Sequence, residues 1–123
     1  MTAPPKLLVQ KMWDVTVVDL QEPRLLESQQ LEALGQELYR FVDQLDRRKL
    51  ILDCAKVQFL ASAAIGVLVT LQKKVAGVKG TLVICGLRPE LMKVFEITQL
   101  TKLFKFAADE KAAFQILGYP ARE

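Results

Sequence analysis

A chain of 123 residues, 51% hydrophobic and 25% charged, has apolar material for one core and too little for two. Its 17 basic and 14 acidic residues are interspersed, and the formal charge of +3 is too small and too mixed to mark a nucleic-acid surface. The longest apolar stretch, Phe59 to Leu71, is interrupted by Ser62 and Thr70 and falls short of the ~20 residues that span a bilayer.

The N-terminus, Met1-Thr-Ala-Pro-Pro, lacks the charged region and apolar run of a secretory signal, so a cytoplasmic location without membrane insertion is expected. Cys54 and Cys85 fall at the ends of apolar segments, and with no histidine in the chain they cannot complete a usual zinc set. They read as buried free thiols. The absence of histidine also removes the usual base from a Ser–His or Cys–His nucleophile, so no enzyme, cofactor or metal is expected.

In chain order, Leu7-Leu-Val-Gln and Asp14 to Leu20 read as two strands joined by a short turn at Met12-Trp13-Asp14, an antiparallel hairpin. Gln21 to Glu27, with Pro23, breaks the pattern. Ser28 to about Asp46 is then helical, with Leu31, Leu34, Leu38, Val42 and Leu45 spaced by three or four, and Arg47-Arg48 suits the negative end of a helix. Leu50 to Cys54 reads as a buried strand, Ala55 to Leu60 as a connection, and Ala63 to Val78 as a helix with Ser62 at its N-cap. Thr81 to Cys85 follows as a strand, and Pro89 opens another helix at a first-turn position. A strand near Leu103 to Phe106 and a short helix Glu110 to Leu117 capped by Asp109 close the chain. Strands alternating with helical crossovers predict a single α/β domain, residues 1–123 with its core at about 6–118, whose mixed, mostly parallel sheet has about five strands and about four helices.

Between strand and helix, Phe59-Leu-Ala-Ser-Ala-Ala-Ile-Gly sets one serine among small and apolar residues. A phosphate on Ser62 would meet the positive end of the following helix, worth about 0.3–1 kcal/mol. The segment resembles the phosphoacceptor motif of STAS domains, the anti-anti-sigma factor family, which reads Phe-hydrophobic-Asp-Ser-Ser-Gly-Leu-Gly. Ala61 stands where that motif has Asp, Ser62 where it has the phosphoacceptor, Ala63 at the second Ser and Ala64 at the first Gly; Ile65-Gly66 end the match. The segments Gly80 to Leu91, Val94 to Leu100 and Leu103-Phe104 resemble the family's last strand, helix and strand, so the likeness covers nearly the whole chain.

The resemblance implies an anti-sigma factor antagonist, not itself an enzyme, that binds an anti-sigma factor serine kinase or other regulatory protein and is switched off by phosphorylation of Ser62. It implies docking through the start of that helix and the loop before the first one: Glu27, Ala61, Ser62, Ala63, Ala64, Ile65 and Val67. A monomer or weak dimer without direct nucleic-acid contact is expected. The alternative is a constitutive STAS scaffold or transport-associated subunit in which Ser62 is only a helix cap. Ser28, Thr70, Thr98 and Thr101 are further hydroxyls, with Ser28 and Thr98 read as helix-end residues. Lys73-Lys74 and Lys79 read as cations placed for a helix C-terminus, and Asp53 as a strand-end carboxylate without a phosphate loop beside it.

Overall fold

The computed structural model describes residues 7–25 and 28–119. Strands β1 (Leu7–Met12) and β2 (Val15–Leu20) form the expected antiparallel hairpin, with Met12 opposite Val15 and Trp13 at φ 55° in the two-residue turn. Helix α1 spans Ser28–Asp43, β4 Lys49–Asp53, α2 Ser62–Gly77, β6 Thr81–Cys85, α3 Pro89–Ile97, β7 Lys105–Ala107 and α4 Glu110–Ile116; the short strands β3 (Arg24–Leu25) and β5 (Phe59–Leu60) complete the set. The main sheet has the order β1-β2-β4-β6-β7, parallel except for the hairpin, so the mixed five-stranded sheet with four helices is as expected.

Side chains alternate across this sheet because successive residues of a strand point to opposite faces. Leu50, Leu52, Leu82 and Ile84 pack with Leu31, Leu34 and Leu38 of α1, Leu68 and Leu71 of α2, and Leu91 and Phe95 of α3. Ile51, Val83 and Cys85 point the other way, onto Ala113 and Phe114 of α4. The central strands are therefore covered on both sides, which is why they read as unbroken apolar runs. Leu50, Ile51 and Leu52 are all 0% exposed, each worth about 1.5–3 kcal/mol by burial.

Several boundaries move by a residue or more, and three of the shifts have a visible cause or bear on the site. Helix α1 stops at Asp43: the chain leaves it through Asp46 at φ 52°, with Arg47 N–H donating to Phe41 O at 2.7 Å, so Leu45 lies beyond the buried stripe. The last strand starts at Lys105 rather than Leu103, because Phe104 is drawn into an edge-to-face contact with Phe95 at 5.6 Å. Third, α2 begins at Ser62 rather than after it. The expectation for Asp109 holds: its Oδ1 accepts from Ala112 N–H at 2.9 Å.

Candidate functional site

The segment before α1, expected to be pattern-free, forms a parallel ribbon with the segment before α2. Arg24 is paired with Phe59 and Leu25 with Leu60. Pro23 has no N–H to donate, but its carbonyl accepts from both Gln58 N–H (2.7 Å) and Phe59 N–H (3.0 Å), and Leu25 O accepts from Ala61 N–H at 2.9 Å. Leu25 and Val57 are buried beneath. Two segments far apart in sequence are thereby tied at the start of α2.

Ser62 is the first residue of α2, not its cap. Ala61 occupies the N-cap with φ −74° and ψ 158°, and no side-chain cap bond is made there. An alanine offers no acceptor, so the end is closed only by backbone: Ala64 N–H donates to Ala61 O at 2.9 Å. The Ser62 side chain points to solvent, at the end of a helix where orphan amides favour a negative charge.

Of the residues expected to dock a partner, Ser62 and Ala63 are exposed, and Ala61 and Val67 are half-buried. Ala64 and Ile65 are only 2% and 8% exposed. Their side chains belong to the core because the inner face of α2 continues to Leu68, Leu71 and Val75, so they present little surface of their own. Glu27 lies outside the described residues, as does the side chain of Ser28. The Tyr39 hydroxyl donates to Val67 O at 3.4 Å, tying α1 to α2. Thr70 and Thr98 hydroxyls donate to the carbonyls of Gly66 (3.1 Å) and Val94 (2.7 Å), which leaves both engaged within their own helix ends or turns. Lys74 pairs with Asp43 at 2.8 Å, in line with its placement in the last turn of α2.

Three neighbours are not among the residues expected to dock a partner. Phe59 is 50% exposed, and the Arg24 guanidinium carbon sits 5.0 Å from its ring centroid. Gly66 is exposed on the outer face of α2, and a Cβ added there would have nothing within 4 Å. Its smallness is thus unexplained by packing within the chain, whereas that of Ala64 follows from burial. The signal for Phe59 and Gly66 was their place in the serine motif; Arg24 carried none.

A second polar cluster lies at the carboxyl ends of the strands, on the face covered by α4. Asp19 and Asp53 are register partners, and Glu110 hydrogen-bonds Asp53. That bond, partial burial and the charges of Asp53, Asp19 and Asp109 push the Glu110 carboxyl up from 4.5 to about 7. Lys56 offsets Asp19 at 3.6 Å. Among the described residues no group of three or more His, Cys, Asp or Glu side chains is placed to hold a metal ion. Cys54 and Cys85 are free and buried as expected; burial first, then the Asp53 charge, pushes Cys54 up to about 12 and Cys85 higher still. Neither is a reactive thiolate. Among the described residues no helix is long and apolar enough to cross a membrane.

The STAS domain family model matches residues 7–113. BtrV of Bordetella bronchiseptica, described as a candidate anti-sigma factor antagonist, is 32% identical over 108 residues, 88% of this chain and 90% of that one. A STAS-domain anti-sigma-factor antagonist protein from Planctomyces limnophilus has the same fold, with a TM-score of 0.81 at 20% identity over 96% of this chain and 100% of that one. The Bacillus cell fate determinant SpoIIAA in its phosphorylated form gives a TM-score of 0.71 at 17% identity, over 90% of this chain and 99% of that one. With a family model spanning most of its length and a relative this similar, the chain belongs to the STAS domain family.

Proposed function

We propose that this protein is an anti-sigma factor antagonist that binds an anti-sigma factor serine kinase through the β3–β5 ribbon and the outer face of the start of α2, and that phosphorylation of Ser62 switches it off. On this reading it regulates sigma-factor-dependent transcription in the cytoplasm as a binding protein and not as a catalyst. The observation that carries it is the Ser62 side chain, exposed on the first turn of α2 and making no capping bond. A hydroxyl with no structural task, flanked by exposed Phe59, Ala63 and Gly66, is open to a kinase. Phosphate there adds about −1.5 to −2 charge to an apolar contact surface. The helix end stabilises that charge in the free protein, while an apolar partner surface would have to desolvate it, so the modified protein dissociates. The names of the relatives point the same way.

The alternative, a constitutive interaction module, keeps one supporting fact: Ala61 stands where the family's motif has an acid beside the phosphoacceptor. It loses the other, since Ser62 is not a cap. The test is titration of the anti-sigma kinase of the same genome with wild type, Ser62→Ala and Ser62→Glu, followed by phosphate incorporation from ATP. Binding by wild type and Ser62→Ala, loss of binding by Ser62→Glu, and phosphate on wild type alone are expected. Equal binding by all three, with no incorporation, would favour the constitutive module.

A further inference from the structure

Opposite the Ser62 end, at the amino edge of the parallel sheet, Val15, Lys49 and Thr81 form one register row. A cavity of about 480 Å³ opens beside it, with Lys11, Arg47, Arg48, Lys49 and Lys79 in its walls. The walls are fixed by backbone. Thr81 N–H donates to Arg48 O at 2.7 Å and Gly80 N–H to Val75 O at 2.8 Å, and a Cβ on Gly80 would lie 2.2 Å from Arg48 O. Lys79 is held at φ 59° between them.

The charge in this cavity is not balanced from within. Asp14 pairs with Lys49 at 3.1 Å and Asp46 with Arg48 at 3.3 Å, which accounts for both lining carboxylates. Lys11, Arg47 and Lys79 have no carboxylate partner among the described residues. The Arg47 Nε is enclosed and has no acceptor, an arrangement folded proteins rarely leave uncompensated. Helices α1 and α2 both end at this edge, and their ends favour cations; two ends of about −0.5 each still leave the three unpaired charges in excess. Leu45, 41% exposed, adds an apolar patch to the same wall.

We infer that this cavity is a binding site for a small, multiply phosphorylated anion. The volume falls within the usual range of ligand pockets, about 300–1,000 Å³. Guanidinium and ammonium groups facing one space match closely spaced phosphate oxygens. The site does not depend on the assignment of Ser62, which lies at the other end of α2, about 22 Å away along a 16-residue helix.

The experiment is an amide NMR titration of the full chain with inorganic pyrophosphate and, separately, ADP, on wild type, Arg47→Gln, Lys79→Gln and the equal-charge control Lys93→Gln, which lies exposed on α3. Saturable shifts confined to 11–14, 45–49 and 79–81 are expected. Each cavity variant should weaken binding about fivefold or more, as loss of one close, partly screened charge does, with the control unchanged. Lys79 is exposed, so Lys79→Gln keeps its fold even if Arg47→Gln does not. Equal affinity for the two probes assigns the site to phosphate alone, and tighter ADP binding adds a nucleoside contact; both support the site. Scattered shifts, equal weakening by Lys93→Gln, or no binding at millimolar probe overturns it.

Discussion

Ala61 and Ser62 differ by one position, and that difference decides what each does. Ala61 has the extended backbone of an N-cap without an acceptor. Ala61→Ser or Ala61→Asp should therefore stabilise the protein by about 1 kcal/mol, roughly 4 °C in melting temperature, as the new oxygen accepts from Ala63 or Ala64 N–H. Ser62→Ala removes no such bond, so its melting curve should overlay the wild type within about 0.5 kcal/mol. Thermal melts of the two variants side by side separate the roles. Glycines make a similar contrast. Gly66→Ala meets open space on a helix and should add about 0.8–1 kcal/mol. Gly80→Ala drives a methyl into the Arg48 carbonyl and should cost roughly 1–3 kcal/mol, read by urea unfolding.

At the scale of elements, long periodic segments were legible and short or tertiary-determined ones were not. The stripe Leu31, Leu34, Leu38 and Val42 predicts α1 because every turn of it is buried. Leu45 fits the same spacing, yet the backbone has already turned at Asp46, and spacing alone does not carry that information. The β3–β5 ribbon is two residues per strand, too short for any period, and exists because Pro23 and Leu25 offer carbonyls to 58–61. Hence the motif around Ser62 was visible but its neighbour Arg24 was not. Likewise Ala64 and Ile65 carried the family likeness and proved to be core. Helix α4 makes a testable element of its own through Glu110. Its carboxyl binds a proton more tightly folded (about 7) than unfolded (4.5), so this contribution is full below 4.5 and is lost as pH rises to about 7. The groups facing it are Asp53, Asp19 with its partner Lys56, and Asp109. Glu110→Gln should flatten that part of the stability–pH profile in urea unfolding at about pH 5 and about pH 8; an unaltered slope would remove Glu110 as its source.

For the molecule as a whole, the parallel sheet gives two chemically different edges. The carboxyl edge gathers Asp19, Asp53, Asp109 and Glu110; the amino edge gathers the lysines and arginines of the cavity. A formal charge of +3 hides this polarity, because the excess is distributed by topology and not by sequence blocks. Both thiols lie at the carboxyl edge, Cys85 as the register partner of Asp53 and Cys54 directly after it, one in each core layer. Buried and held protonated, Cys54 and Cys85 should be labelled by a thiol reagent only as fast as the whole fold opens, so labelling and global unfolding should change together with urea. The β3–β5 ribbon has a practical consequence for anyone wishing to imitate or transplant the proposed partner surface. Its two strands come from 24–25 and 59–60, joined by hydrogen bonds rather than by chain. A synthetic peptide copied from 58–67 lacks the carbonyls of Pro23 and Leu25 that hold its first residues extended. Transplanting the ribbon therefore requires moving both stretches together.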